Sequence, residues 1–181
     1  MYRVSTLSDE PKDIKIWRII AGAKEDKFSL LKEFFEHGFI ALGWPGFNLT
    51  DINRDEFKRE AKKRKKEYTA IDISPLERFR YDMHIGDIVI VVYDRKIWGV
   101  GIVTSEYYYS EKHIQEYPQR RNVIWYKFDD PIPLKNLNLS KELKNKLTKT
   151  PTVRNPLIPL DLHEWRELVL KLSKLIKCNS L

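Results

Sequence analysis

The chain has 181 residues, 42% of them hydrophobic and 12% aromatic, which is enough for the core of one ordinary domain. A formal charge of +7, from 33 basic and 26 acidic residues, favours a polyanionic partner such as nucleic acid and excludes a simple basic tail. The single cysteine excludes a disulfide framework, and no apolar run approaches the roughly 20 residues that span a bilayer. We expect a soluble, cytoplasmic protein with no membrane partner.

The first quarter of the chain predicts a strand, a helix and a second strand that lead into a tryptophan turn. Residues 1–13 are polar and are expected to form a weakly ordered lead-in. Alternating apolar residues predict a strand over 14–20, and apolar residues at helical spacing predict a helix over 26–37. A short strand over 39–42 then enters Gly43-Trp44-Pro45-Gly46, a turn that leaves a large indole with little local cover.

A strongly basic helix follows this turn. Asn53 and Glu56 form a capping-box pattern that predicts a helix from there to about residue 68. Residues 62–66 are five consecutive cations that cover every direction around the helix, so some of them must face outward, where they can contact phosphates. Such a run is also typical of an ordinary solvated helix face. A further short helix is predicted over 76–83.

The central part of the chain predicts a buried hairpin. Residues 87–92 and 97–104 are rich in Val and Ile and are joined by a short polar link, which indicates two antiparallel strands. Gly99 and Gly101 lie inside the second strand and indicate a bulge or a close approach of backbone or ligand. Tyr107, Tyr108 and Tyr109 follow, so at least one tyrosine ring is expected to reach a surface or cleft.

The C-terminal part predicts a strand and two helices. A polar loop over 111–121 leads to a strand over 122–128, which the Asp129-Asp130-Pro131 sequence is expected to stop. A small helix is predicted over 140–149. The prolines in residues 150–159 predict that this following segment is extended. Asp161 and Glu164 form a second capping-box pattern, and an amphipathic helix is predicted over 160–177.

No catalytic motif is recognisable. A nucleophile elbow, a phosphate-binding loop and an HExxH motif are absent from the sequence, so we expect a protein that is not an enzyme. Asp82, Asp87 and Asp94 surround the hairpin and are interpreted as turn residues. The four histidines are scattered, with no HxxxH pair and no acidic partner at ligand spacing, so neither a metal nor another cofactor is expected. A small metal-dependent nuclease or a deaminase is the enzyme alternative.

The order of six short motifs resembles the EVE/YTH branch of the PUA-like superfamily: IWRI, FIALGW, IGDIVIVV, WGVGIV, VIWYKF and VRNPLIPL, over roughly residues 15–171. The resemblance implies an α+β fold, a mixed PUA-like β-barrel flanked by helices, with residues 1–181 as one domain. Together with the charge, it suggests the N-terminal DNA-recognition domain of an McrB-type protein from a modification-dependent restriction system. The motor and nuclease would then be other domains or subunits.

The resemblance also implies a pocket for one modified base, with Trp44 in the place of the cage tryptophan. The second wall would come from a tyrosine, and Asn155 would read a purine edge. The predicted base-binding residues are Trp17, Ala21, Gly22, Ala23, Trp44, Tyr107, Tyr109, Tyr117 and Asn155. The predicted phosphate-binding residues are Lys62, Arg64, Lys65, Arg120, Arg121 and Arg154.

The predicted function is therefore a DNA-binding domain that flips a methylated base of double-stranded DNA, 6-methyladenine first, into an aromatic cage. Two alternatives remain within the binding class. One is a reader of 5-methylcytosine or hydroxymethylcytosine, and the other is an RNA-binding PUA-like module that prefers single strands.

Overall fold

The computed structural model describes residues 13–21, 27–64, 73–148 and 156–178. Within these ranges the chain forms seven strands and five α-helices, together with a π-helical turn at Arg78–Asp82 and a 3-10 turn at Leu134–Asn136. The strands are β1 Ile16–Ile20, β2 Phe39–Leu42, β3 Ile88–Tyr93, β4 Lys96–Val103, β5 Tyr108–Tyr109, β6 Gln119–Pro133 and β7 Leu157–Leu160. The helices are α1 Lys27–His37, α2 Arg54–Lys63, α3 Ser74–Glu77, α4 Lys141–Thr148 and α5 Leu162–Cys178.

The strands form one mixed sheet in the order β2-β6-β4-β3-β1-β7, and β5 also pairs with β6. β1 is parallel to β3 and antiparallel to β7, while the other pairs are antiparallel. The predicted α+β class, with a mixed sheet flanked by helices, is confirmed. The sheet is a half-barrel, because β2 and β7 end the strand order and do not pair with each other in the described part of the chain.

Two apolar clusters lie on opposite faces of the sheet. Trp17 and Ile19 of β1 point into a cluster that includes α1, α2 and α3, whereas Ile16 points into a cluster that includes α4 and α5. Arg18 is also fully buried, and its Nε donates to the Lys146 carbonyl at 3.1 Å. Burial lowers the pKa of Arg18 to about 10. None of the described helices has the length and apolarity needed to cross a membrane.

The predicted hairpin is formed by β3 and β4, and both glycines of β4 lie where side chains pack tightly against the strand. A Cβ on Gly99 would meet the Tyr126 carbonyl at 2.8 Å, and a Cβ on Gly101 would meet Val123 Cγ1 at 2.3 Å. The pairing of β4 with β6 shifts register between Ile97 and Gly99. The prediction of a bulge with close approach is therefore confirmed.

The predicted end of the last long strand is wrong. β6 continues through Asp129, Asp130 and Pro131, and its last residues pair with the start of β4. Pro131 is tolerated because it lies in the register shift between the paired positions Lys127 and Ile132, where it interrupts no regular ladder. The final helix is confirmed, but Leu162 and Val169 on it are exposed rather than packed inward.

Candidate nucleic-acid interface

Trp44 lies in the turn after β2, with a backbone φ of 63° in the left-handed region that residues other than glycine rarely adopt. Gly46 shares this region, with a φ of 75°. The indole is 7% exposed and belongs to the cluster on the α1 side of the sheet. Its Nε1 is buried and has no hydrogen-bond partner among the described residues. A buried N–H donor without an acceptor lowers the stability of the fold by about 1–3 kcal/mol. The Trp44 turn therefore contains an unsatisfied hydrogen-bond donor.

A buried glutamine holds the backbone of this turn. Gln119 is 0% exposed, and its Nε2 donates to the carbonyl oxygens of Trp44 and Phe47, each at 2.9 Å. Its Oε1 accepts a hydrogen bond from the Tyr107 hydroxyl at 2.5 Å. Because Leu42 pairs with Gln119 across β2 and β6, the sheet itself positions this side chain beneath the turn.

Two tyrosines add to the support of the turn. The Tyr107 hydroxyl accepts from the Leu49 backbone N–H at 3.1 Å, and the Tyr109 hydroxyl accepts from the Gly46 N–H at 2.9 Å. Tyr107 is 7% exposed, and burial raises its pKa to about 12. The structure contradicts the prediction of an open slot between Trp44 and Tyr107, because each of these residues is 7% exposed and the Tyr107 hydroxyl is engaged in hydrogen bonds. Tyr109 and Tyr117 are half-buried, and their predicted roles stay predictions.

Two arginines lie against the same turn. Arg64 follows α2, and its Cζ lies 4.7 Å from the centre of the Phe47 ring. Arg80 donates from Nε to the Leu49 carbonyl at 3.0 Å, and its Cζ lies 5.0 Å from the centre of the Tyr107 ring. Both arginines are half-buried as residues, so part of each side chain lies at the surface next to the turn.

The residues predicted to approach the base from β1 lie in the core. Trp17 is 2% exposed, and its Nε1 donates to Asp87 Oδ2 at 2.8 Å. Ala21 is 0% exposed. The prediction that Trp17 contacts a base is therefore wrong for the conformation seen here, and so is the prediction that Ala21 contacts it through its backbone groups, because both residues are buried as a whole. The Asp87 carboxylate also accepts from the His84 N–H at 2.9 Å, which agrees with its interpretation as a turn residue.

Several predicted site residues lie outside the described residues: Gly22, Ala23, Lys65, Arg154 and Asn155. The described range 13–21 ends close to the point where the described range 156–178 begins. At this end of β1 the Ile20 N–H donates to the Pro156 carbonyl at 2.9 Å. The chain therefore enters the 22–26 segment and leaves the 149–155 segment at neighbouring points of the sheet.

Arg121 is buried, so the prediction that it contacts phosphate is wrong for this conformation. It is 0% exposed, and its guanidinium donates to the backbone carbonyls of Phe79 at 2.8 Å, Ser105 at 3.1 Å and Arg80 at 3.1 Å. Burial lowers the pKa of Arg121 to about 10. The side chain joins β6 to the π-helical turn and to the end of the hairpin, so its role is structural.

The prediction for Arg120 is wrong for a similar reason. Arg120 is 2% exposed, its Nε donates to the Tyr117 carbonyl at 3.2 Å, and its Cζ lies 4.5 Å above the Phe39 ring. Burial lowers its pKa. Of the predicted phosphate-binding residues that the structure describes, Lys62 is exposed and Arg64 is half-buried, so these two stay available to a ligand.

Residues 17–149 match the family described as Domain of unknown function (DUF8426). The chain belongs to this family. The matched segment of the DUF8426 chain begins in β1 and contains the Trp44 turn, Gln119 and α4, while β7 and α5 lie beyond it.

Among curated proteins, none matches this DUF8426 chain. Solved structures similar to it include the YTH domain of the Zygosaccharomyces rouxii MRB1 protein in complex with N6-methyladenosine RNA, with 12% identity, a TM-score of 0.47, and coverage of 88% of this chain and 86% of that one. The Pho92 YTH domain in complex with m6A has 11% identity, a TM-score of 0.44 and coverage of 88% and 86%. Protein Atu2648 from Agrobacterium tumefaciens has 15% identity, a TM-score of 0.43 and coverage of 84% and 89%.

Two residues that build the site of this DUF8426 domain are missed by sequence reasoning. Gln119 stands in a stretch that is polar enough to indicate a loop, but in the structure it pairs with Leu42 on one side and with Tyr109 on the other and is fully buried. Arg80 lies on a predicted helix, but the π-helical turn at Arg78–Asp82 redirects the side chains there. The signal in the sequence is that Arg80 directly follows Phe79, an apolar residue of the predicted helix, which places Arg80 at the margin of the apolar stripe.

Proposed function

We propose that this DUF8426 domain is a non-enzymatic DNA-binding domain that takes one flipped, methylated base, 6-methyladenine, beside Trp44. The observation that carries the proposal is the buried, unpartnered indole N–H of Trp44 on a turn that Gln119 holds in place. A purine ring offers nitrogen acceptors at its edge, so a base placed against the indole edge would satisfy this donor.

The charges around the turn support a nucleic-acid ligand. Lys62 is exposed, and Arg64 and Arg80 are half-buried residues that lie against the turn. Cations in these positions would neutralise the phosphates that flank an extruded nucleotide, without reading its sequence. The net charge of +7 adds a general attraction to the duplex.

The energetics set the selectivity that we expect. Flipping a base costs a few kcal/mol, and stacking on an aromatic side chain returns about 1–3 kcal/mol. A buried methyl group adds about 0.8 kcal/mol, which corresponds to a preference of about fourfold over the unmethylated base. Because Trp44 is only 7% exposed, an entering base must displace part of its present cover, so binding should change the tryptophan fluorescence.

We assign the domain to a modification-dependent restriction system of the McrB type, as its recognition module. The order of the six motifs and the basic charge support this assignment. The motor and the nuclease would be other domains or subunits, and this domain would supply only recognition.

The test is the affinity of the full chain for matched DNA duplexes that differ in one base: unmodified, 6-methyladenine, 5-methylcytosine and hydroxymethylcytosine. The expected result is the tightest binding to the 6-methyladenine duplex. Equal affinity for all four duplexes would reject a pocket that reads the modification. A preference for either cytosine modification, or for a single-stranded methylated RNA of the same sequence, would replace 6-methyladenine in the proposal.

Variants locate the site. Trp44→Ala removes the indole N–H together with the aromatic ring against which the methylated base would be buried, and it should abolish the preference for the modified duplex. The matched control is Trp165→Ala on α5, which packs in the cluster on the opposite face of the sheet and should keep the preference. If both variants behave alike, Trp44 does not contact the base.

Charge variants test the surface separately. Replacing Lys62 and Arg64 with alanine should weaken the binding of all duplexes to a similar degree. The slope of log affinity against log salt should fall by about 1 for each phosphate that is no longer neutralised. The control replaces Lys135 and Lys144, two lysines in the region of α4 on the opposite face. Turnover of DNA or of a nucleobase in the presence of divalent metal would refute the non-enzymatic assignment.

A further inference from the structure

We propose that Glu33, His37 and His113 bind a divalent transition-metal ion of the Zn²⁺ class. Glu33 and His37 are four residues apart on α1, so they share one face of the helix. His113 comes from the loop between β5 and β6, and one ligand atom from each of the three residues lies within 4.8 Å of the other two. Two imidazoles and a carboxylate form a donor set that suits zinc or nickel.

The distances fit a single ion. Glu33 Oε2 and His37 Nε2 are 3.3 Å apart, and two ligands at about 2.0–2.2 Å from a tetrahedral zinc ion lie about 3.3–3.6 Å from each other. The rings of His37 and His113 stack with their centroids 4.1 Å apart and an angle of 21° between their planes. The lone pairs of an imidazole lie in its ring plane, so one of the two rings must rotate out of the stack for both histidines to bind the same ion, and the three ligand atoms already lie within 4.8 Å of one another.

The Glu33 carboxylate supplies an independent sign of a ligand. Its Oε2 atom is buried and accepts no hydrogen bond from the described residues, although 26% of the whole side chain is exposed. A buried carboxylate oxygen without a donor is costly, and a metal ion would satisfy it directly. The His37 contact at 3.3 Å does not satisfy it, because the geometry of a hydrogen bond is not met.

The backbone around His113 is held in place from inside the protein. His113 has a φ of 72°, which is unusual for a residue with a side chain, and such conformations persist where the surroundings fix them. The carbonyl oxygens on both sides of it, from Lys112 and Ile114, accept hydrogen bonds from Arg120 Nη2. Arg120 is in turn stacked on Phe39, so a buried arginine positions the loop that presents the histidine.

This inference corrects the expectation of no acidic partner at ligand spacing, because Glu33 and His37 are such a pair. Three protein ligands leave at least one coordination position for water or another ligand. A bound ion would connect α1, through Glu33 and His37, to His113 in the loop that leads to Gln119. Gln119 is the residue that hydrogen-bonds the Trp44 turn. The proposal does not depend on nucleic-acid binding, and its test uses the metal alone.

The experiment is a titration of the untagged, chelator-treated full chain with Zn²⁺ alone, followed by calorimetry, together with the visible absorption of the Co²⁺-substituted protein. We expect one Zn²⁺ per chain, and a Co²⁺ spectrum with the intensity of a four- or five-coordinate site. His113→Ala, and separately Glu33→Gln, should weaken Zn²⁺ binding by at least about 100-fold, because removal of an outer-shell partner alone costs roughly 10–100-fold.

The control variant is His163→Ala, an exposed histidine on α5 that should leave the affinity unchanged. Glu33→Gln alters only a partly exposed helical side chain, so a folded protein is expected for the measurement even if His113→Ala fails to fold. The proposal is overturned if the wild-type chain binds less than one Zn²⁺, if Glu33→Gln binds as tightly as the wild type, or if His163→Ala loses the ion.

Discussion

Replacement of Gln119 with leucine should destabilise the protein strongly. The amide makes three buried hydrogen bonds, to the carbonyls of Trp44 and Phe47 and to the Tyr107 hydroxyl. Leucine is of similar size, so the substitution removes the hydrogen bonds of the amide while it largely keeps the packing volume. Each bond contributes about 1 kcal/mol net, and each buried group left without a partner costs about 1–3 kcal/mol. The Tyr107 oxygen still accepts from the Leu49 N–H, so we expect a total loss of about 3–5 kcal/mol.

Urea unfolding followed by far-ultraviolet circular dichroism measures this loss as a change in the free energy of unfolding. The matched control is Gln115→Leu, the same substitution at an exposed loop position, which should stay within about 0.5 kcal/mol of the wild type. A loss below about 1 kcal/mol for Gln119→Leu would refute the view that this amide holds the turn, since it would mean that the three partners find other donors and acceptors.

Three further outcomes are expected. Gly101→Ala should lower the free energy of unfolding by about 1–3 kcal/mol, because its Cβ would lie 2.3 Å from Val123 Cγ1; an unchanged melting temperature would contradict this. Asp87→Asn should cost about 1.5–3 kcal/mol in urea unfolding, since its amide NH₂ would face an N–H donor such as that of Trp17, and a neutral result would show that the carboxylate is not needed. Burial raises the pKa of Tyr107 to about 12, so the unfolded chain releases this proton first. Stability should therefore fall between about pH 10 and pH 12, by up to about 1.4 kcal/mol per pH unit, and less steeply in Tyr107→Phe; equal slopes would exclude Tyr107 as the cause.

The elements that the sequence predicts correctly depend on local signals. The Asn53 side chain accepts from the Glu56 N–H, and the Glu56 carboxylate accepts from the Asn53 N–H, as the capping-box pattern requires. Asp161 and Glu164 form the same pair of hydrogen bonds at the start of α5. Such bonds join residues three positions apart, so the sequence alone contains the whole interaction. The strand at Phe39–Leu42 is predicted with the observed bounds.

The parts that fail depend on residues far apart in the chain. Arg121 lies in a stretch that is polar enough to indicate an exposed loop, but the carbonyl groups that bind it come from Phe79, Arg80 and Ser105. Nothing in the local pattern distinguishes this buried arginine from the exposed Lys62. Composition correctly indicates a basic chain, but it does not show that Arg120 and Arg121 pair with β2 and are buried there.

The position of β1 between β3 and β7 has a practical consequence for anyone who shortens the chain. β1 pairs with β3 on one side and with β7 on the other, and Ile16 packs in the same cluster as Leu168 and Leu172 of α5. A fragment that ends with α4 would include nearly all of the family-matched segment. It would, however, leave one edge of β1 without the pairing strand β7, and it would remove the α5 residues that cover Ile16. Exposed strand edges of this kind recruit other copies and aggregate. A shortened chain that keeps both neighbours of β1 and the cover of Ile16 must therefore extend through α5.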